Sequence, residues 1–222
     1  MVGVQTQMEG PLSVRHSRMD LPFLSRFGKA VLNARRMIRD RGFQVPNLGS
    51  DELEVVAELY AIAKQTKCSL AEAVHREYTS QSNEVLCLWC FDRNYDLIKH
   101  RDRMISTDQV KYLQDTLLKT DTKQHLILSP NKLSPQAKKE GSRLSIFLFD
   151  DLMIDLPRHN LVLSHTIVSL ETCRALLGSK LDPKDLPCLP KLDPISRWYN
   201  FPVGSIVFID NPCMPSWRIV TD

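Results

Sequence analysis

The chain has 222 residues, of which 43% are hydrophobic and 25% are charged, and its formal net charge is only +3. This composition supports a buried core in either one large domain or two small ones. The first residues lack a secretion signal and no run of about 18 apolar residues occurs, so we expect a soluble intracellular protein without a membrane partner.

Residues 1–20 show no apolar periodicity, so we expect a flexible tail. A helix is predicted from Leu21 to about Gly42, because apolar residues recur at helical spacing in between. We expect Arg35, Arg36 and Arg39 to lie between the edge of that apolar stripe and the exposed side of the helix, where they could face nucleic acid. A merely solvated surface is the alternative.

Capping patterns predict two further helices, one opening at Ser50 and running to about Ala63, and one opening at Ser69. Residues 85–91 are apolar on both faces, which indicates a strand inside a covered sheet. Helical and strand-like segments then alternate, with helices near residues 108–118 and 134–139 and strands near 125–128 and 145–149. The alternation predicts an α/β layer with a partly parallel sheet.

The six cysteines are expected to be free thiols, because nothing in the sequence indicates secretion. Cys87 and Cys90 form a C-x-x-C pair within the predicted strand, where residues three apart point to opposite faces. We therefore expect that they do not bind a metal together.

The composition of the sequence changes after Asp150: eight of the thirteen prolines lie in the last third. We expect three parts: a flexible tail over 1–20, an α/β domain over 21–150 and a small α+β domain over 151–222. The small domain is predicted to contain a helix over 169–177, ended by Gly178, and strands over 205–209 and 217–220. Its size predicts a marginal core that gains stability from a partner.

The sequence contains no phosphate-binding glycine loop and no nucleophile elbow, and its histidines lack partners at metal-ligand spacing. The remaining enzyme hypothesis is a metal-dependent nuclease or free-standing DNA-binding protein, in which Asp121 and Lys123 match the acid-x-lysine part of a magnesium site. Such matches arise readily by chance. We expect no catalytic residues, no metal, no cofactor and no small-molecule ligand.

An ordered series of motifs follows in the last third: Leu-Pro-Arg-His at 156–159, Leu-Pro-x-Leu at 186–189, Asp-Pro-x-x-Arg-Trp at 193–198 and Gly-Ser-Ile-Val-Phe-Ile at 204–209. Together they resemble the assembly domain of the shared fifth subunit of eukaryotic nuclear RNA polymerases, a domain that is also similar to a small component of archaeal RNA polymerase. Residues 37–43, Met-Ile-Arg-Asp-Arg-Gly-Phe, resemble a motif of the same family's first domain. The turn at residues 210–215 is shorter than in the family, which suggests a specialised paralogue.

The resemblance implies a non-catalytic subunit of a DNA-directed RNA polymerase, located in the nucleus and, for a paralogue specific to RNA polymerase I, in the nucleolus. It implies a nuclease-like α/β jaw domain near downstream duplex DNA, then an assembly domain docked on the largest subunit beside neighbouring small subunits. The residues predicted to serve assembly are Pro157, His159, Pro187, Asp193, Pro194, Arg197, Trp198 and Gly204.

Overall fold

The structure is a computed structural model that describes residues 21–91, 104–117, 124–141, 144–178 and 182–222. The predicted tail and the nuclease candidates Asp121 and Lys123 lie outside these residues. The helices are α1 (Leu21–Asp40), α2 (Glu52–Thr66), α3 (Thr107–Leu117), α4 (Pro135–Glu140), α5 (Leu170–Leu177) and α6 (Pro194–Tyr199). Among the described residues, no helix is both long and apolar enough to cross a lipid bilayer.

The first of two four-stranded sheets has the order β1-β2-β3-β4. Its strands are β1 (Arg76–Thr79), β2 (Val85–Cys90), β3 (Gln124–Ser129) and β4 (Ser145–Leu148). β2, β3 and β4 run parallel, whereas β1 is antiparallel to β2. The predicted partly parallel α/β layer is therefore confirmed, although β1 was missed because its four residues mix charged and aromatic side chains.

Both faces of this sheet are covered, as the apolar run at residues 85–91 predicts. Leu86, Leu88, Leu126 and Leu128 belong to the large core that contains α1. Ile127 lies on the opposite face, in a smaller core with side chains of α3 and α4. Because side chains alternate across a strand, β2, β3 and β4 each supply residues to both cores.

Helix α1 is the centre of the large core and is buried on more sides than its apolar stripe predicts. Helix α2 packs closely against it at Gly28, where an added Cβ would lie 2.4 Å from the backbone oxygen of Glu52. Glycine is therefore required sterically at this crossing. Since the helix lies between α2 and the sheet, residues predicted to be on its exposed back become buried.

Local caps explain where α2 begins and correct the third predicted helix. The Asp51 side chain accepts hydrogen bonds from the N–H groups of Leu53 and Glu54, so α2 starts one residue later than predicted. The capping box between Ser69 and Glu72 is present. However, it supports only a single 3-10 turn over Glu72–Val74, because the chain enters β1 immediately afterwards.

The second sheet has the order β5-β7-β8-β6. Its strands are β5 (Ser164–Val168), β6 (Cys188–Pro190), β7 (Ile206–Asp210) and β8 (Ser216–Thr221). β7 and β8 match the two predicted strands, whereas β5 and β6 were missed because one is polar and the other is bounded by prolines. Helix α5 covers one face of the sheet near Cys173, and α6 covers the other near Ile195. The predicted α+β class is confirmed.

The two sheets do not have wholly separate cores. Phe149, Leu152 and Trp198 pack in the same core as α1. The ring of Phe149 lies 5.8 Å from that of Phe27, measured between ring centroids. The segment that connects the sheets is thus anchored on the central helix.

Candidate functional site: the junction between the sheets

The junction begins at the carboxyl end of α1, where Gly42 has a φ of 91° and the chain turns sharply. The N–H of Phe43 bonds the carbonyl of Ile38, and the N–H of Gly42 bonds that of Arg39. This pair of bonds is a Schellman motif, with Ile38 and Phe43 both in the core. The motif fixes Asp40 at the last position of the helix, facing α6.

Asp40 is the central acceptor of the junction. Its carboxylate accepts a hydrogen bond from the indole N–H of Trp198 at 2.9 Å. It also accepts two bonds from the guanidinium of Arg158, at 2.7 and 3.0 Å. Hydrogen bonds to Asp40, and then to Asp155, raise the pKa of Arg158. The carboxylate therefore joins α1 to two separate segments of the C-terminal part.

Arg41 binds the end of α6. Its Nε donates to the carbonyl of Trp198 at 2.8 Å, and its terminal nitrogen donates to that of Arg197 at 2.7 Å. These carbonyls are near the negative end of the helix, so a cation is favourable there. The carbonyl of Arg197 also accepts the N–H of Asn200, the C-cap residue. Burial, and then the charge of Arg197, lower the pKa of Arg41 to about 10.

Arg197 connects α6 back to the first sheet. Its guanidinium donates to the carbonyl of Ile146 at 2.7 Å and lies 4.2 Å from the ring centroid of Phe147. A further contact of 3.3 Å reaches the carboxylate of Asp151. Asp193 positions this residue, because its side chain caps the N-terminus of α6. Arg197 thus binds the outer edge of β4.

A second set of polar contacts lies one turn earlier on α1. The buried Asn33 donates to the carbonyl of Leu152 at 2.7 Å. Arg36 donates to Asn33 at 3.1 Å and to the carboxylate of Asp155 at 3.2 Å. Since Asp155 also binds Arg158 at 2.9 Å, the contacts form one connected network. Such a network specifies a single relative orientation of the two sheets.

The arginines predicted to face nucleic acid lie in three different environments. Arg35 is only 2% exposed and donates to the carboxylate of Glu58 at 2.7 Å. Its predicted position on the surface is wrong, because α2 covers this side of α1. Arg36 belongs to the junction network. Arg39 has a side chain 46% exposed and lies 4.0 Å from the Asp40 carboxylate. A contact of Arg36 or Arg39 with nucleic acid stays a prediction.

The residues predicted to serve assembly also divide into two groups. Trp198 is 1% exposed, and both it and Arg197 bind within the chain, which leaves Trp198 unavailable to a partner. The remaining residues stabilise turns and caps or lie at the surface: Pro157, His159, Pro187, Asp193, Pro194 and Gly204. Gly204, for example, has a φ of 86° and donates its N–H to Val220. Partner contacts of this second group stay a prediction.

Sequence reasoning assigned no role to Asp40, Arg41, Asp155 or Arg158. The available signal was the Asp-Arg-Gly order at the end of α1, which places two opposite charges immediately before a helix-terminating glycine. Without tertiary contacts, this order is equally typical of a solvated helix end. The partners lie more than 110 residues away in the chain, so local pattern did not reveal them.

Exposed apolar side chains concentrate in the C-terminal part of the described chain. Nine of the thirteen large hydrophobic residues that are exposed lie there: Ile154, Leu161, Leu163, Ile167, Leu176, Leu177, Leu192, Val203 and Met214. Such a concentration is typical of a surface that binds another protein. No group of three or more metal-ligating side chains occurs within the described ranges.

A small sheet with exposed apolar side chains, fixed to a larger α/β layer, favours the class of proteins that act by binding a partner. Residues 154–221 match the family model described as RNA polymerase Rpb5, C-terminal domain. This part of the chain is similar to that domain, which confirms the resemblance noted in the sequence.

Similarity to whole subunits extends over most of the chain. It is 24% identical over 208 residues to the DNA-directed RNA polymerases I, II, and III subunit RPABC1 of Caenorhabditis elegans, covering 89% of this chain and 93% of that protein. It is 25% identical over 195 residues to the DNA-directed RNA polymerase V subunit 5A of Arabidopsis thaliana, covering 83% and 81%. Both relatives are named as subunits of DNA-directed RNA polymerases, which agrees with the resemblance noted in the sequence.

Proposed function

We propose that this protein is a non-catalytic subunit of a nuclear DNA-directed RNA polymerase and that residues 151–222 assemble on the largest subunit. The observation that carries the proposal is the family match over residues 154–221, together with relatives that align over most of both chains. The exposed apolar residues of the same segment support a docking role.

In this proposal, residues 21–150 form part of the jaw beside downstream duplex DNA. The junction network supports this arrangement, because a rigid connection would transmit the position of the docked C-terminal part to the N-terminal sheet. Arg39 is the predicted arginine with the most exposed side chain of the three. It is therefore the candidate for a phosphate contact.

We further propose that the subunit serves one polymerase class, such as RNA polymerase I, and that it then resides in the nucleolus. Support comes from the altered turn at residues 210–215 and from the Arabidopsis relative, whose name refers to polymerase V alone. The class would be identified by the largest subunit that copurifies.

The test is affinity purification of the tagged full-length chain from nuclear extract, with the copurifying proteins identified by mass spectrometry. We expect the two large polymerase subunits in near-stoichiometric amounts. Recovery of the chain without them would refute the proposal. Recovery at much lower stoichiometry would indicate an associated regulator rather than a core subunit.

A further inference from the structure

Four sheet edges are present in the described chain, and three of them are protected against pairing with another strand. At β1, the backbone of Thr79 accepts a hydrogen bond from Gln44, and Arg76 and Glu77 carry charges. At β4, the guanidinium of Arg197 donates a hydrogen bond to the carbonyl of Ile146. Covered backbone and charged side chains are common devices that prevent edge-to-edge association.

The third protected edge is β6, which has only three residues, Cys188–Pro190. Pro187 precedes it and Pro190 ends it, so two positions lack the N–H group that a further strand would need. Short length and proline are again devices that protect an edge.

Within the described part of the chain, strand β5 lacks these devices. The side chain of His165 donates a hydrogen bond to the carbonyl of Leu163, the residue just before the strand, at 2.7 Å. The five residues of β5, Ser164–Val168, include no charged residue and no proline. It pairs with β7 on one side only, and no backbone hydrogen bond from any described residue reaches its other side. Ile167 is 48% exposed and Leu163, just before the strand, is 38% exposed. The strand is therefore an open edge with apolar side chains beside it.

The register identifies which backbone groups of β5 are free. Val220 donates its N–H to Ser205 on the β7 side, while Ile219 donates to Pro187 on the β6 side. Backbone groups of successive residues point to opposite sides of a strand, so Ser205, just before β7, and Val207 of β7 point toward β8. Phe208 of β7 therefore points toward β5, where its partner is Thr166. The N–H and C=O groups of the next residue, Ile167, then point away from the sheet, and so do those of His165.

We propose that β5 receives an extended strand from the largest subunit of the polymerase, which would extend the C-terminal sheet to five strands. The inference rests on the proposed function, since it names the surface used in assembly. The backbone groups of His165 and Ile167 require an extended partner about 4.8 Å away.

The side chains define the composition of the strand that fits. On the face shared with Leu163 and Ile167, the partner carries apolar side chains at alternate positions, which pack across the strand pair. On the opposite face, beside the exposed Ser164 and Thr166, it carries small polar residues. The partner is therefore an amphipathic strand without charges in its centre.

The test compares Ile167→Pro with Ile167→Val in the tagged full-length chain, measuring the largest polymerase subunit recovered per molecule of bait. Proline removes an outward N–H and keeps the bonds to β7, so we expect about tenfold lower recovery. Valine keeps the N–H, so recovery should equal that of the unmodified chain. Equal recovery with proline would overturn the inference while leaving the proposed function intact. Failure of the unmodified chain to recover the largest subunit would instead refute the proposed function.

Amide hydrogen exchange provides a second measurement that does not depend on a folded proline variant. In the isolated chain, the amides of Thr166 and Val168 should exchange slowly, whereas those of His165 and Ile167 should exchange rapidly. In the purified polymerase, the latter two should also become slow. Rapid exchange of the His165 and Ile167 amides in the polymerase would contradict the inference. Slow exchange of these two amides in the isolated chain would also contradict it. In that case, a dependence on protein concentration would identify a second copy as the occupant, and loss of the slow exchange on deletion of residues 1–20 would identify that segment.

Discussion

Replacing Asp40 with alanine tests whether the junction is held as described. The substitution leaves the indole N–H of Trp198 without its acceptor at a position only 1% exposed. An unsatisfied buried donor costs about 2 kcal/mol. Arg158 also loses two bonds, but it is partly exposed and keeps Asp155, so its loss is about 1 kcal/mol. We expect a free energy of unfolding lower by about 3 kcal/mol.

Asparagine at position 40 separates the two contributions. The amide oxygen of Asn can still accept the indole hydrogen bond, while the charge that pairs with Arg158 is removed. We therefore expect Asp40→Asn to cost only about 1 kcal/mol. Asp210→Ala serves as the matched control, because Asp210 is exposed at the end of β7 and its loss should change stability by about 0.5 kcal/mol or less.

The assay is urea unfolding of the purified chain followed by far-ultraviolet circular dichroism, with thermal melting as a check. A loss of 3 kcal/mol lowers the Tm of a protein of this size by roughly 6–12 °C. If Asp40→Ala costs less than about 1 kcal/mol, the carboxylate does not hold the junction and the account of its contacts is incorrect. If alanine and asparagine cost the same, the indole bond is not the main contribution.

Three further substitutions test other parts of the structure. Arg41→Met removes both bonds to the end of α6 and should lower the free energy of unfolding by about 2 kcal/mol in the same assay. Little change would show that the Arg41 bonds do not stabilise this helix end. Arg35→Met should also lower the free energy of unfolding by about 2 kcal/mol, because it leaves Glu58 with only its weaker contact to Arg76. An unchanged free energy of unfolding would contradict the burial of the Arg35–Glu58 pair. Arg39→Glu should lower the free energy of unfolding by no more than about 1 kcal/mol, because it places a second acid beside Asp40 at the helix end. It should weaken retention of template DNA by the polymerase more at low than at high salt, and unchanged retention at low salt would leave Arg39 as a solvated residue.

The sequence predicts elements well where the periodicity is continuous. The apolar run at residues 85–91 and the spacing along α1 identify a covered strand and a long helix, because each pattern extends over several turns or pairs. Short elements with mixed composition were missed, since β1 and β5 contain four and five residues and no clear alternation. Their pairing comes from neighbouring strands that are distant in sequence.

The faces of a central helix are harder to predict than its limits. The stripe on α1 correctly identifies the side containing Phe27 and Ile38 as buried. It assigns Arg35 to the rim because a charged residue is normally exposed. The structure buries Arg35 since α2 supplies Glu58 as a partner, and that pairing depends on a close helix crossing at Gly28 that no local pattern specifies.

The motifs that carried the resemblance are largely those that hold the junction. Asp40 and Arg41 belong to the motif at the end of α1, and Arg197 and Trp198 belong to the motif that follows Asp193. Each of these side chains has a demanding geometry: an indole donor, a carboxylate with three bonds, or a guanidinium fork on helix-end carbonyls. Such contacts tolerate few alternatives, whereas a surface that binds through exposed apolar groups or backbone tolerates many. By their geometry, the residues that orient the two sheets are therefore specified more strictly than the surfaces that the sheets present.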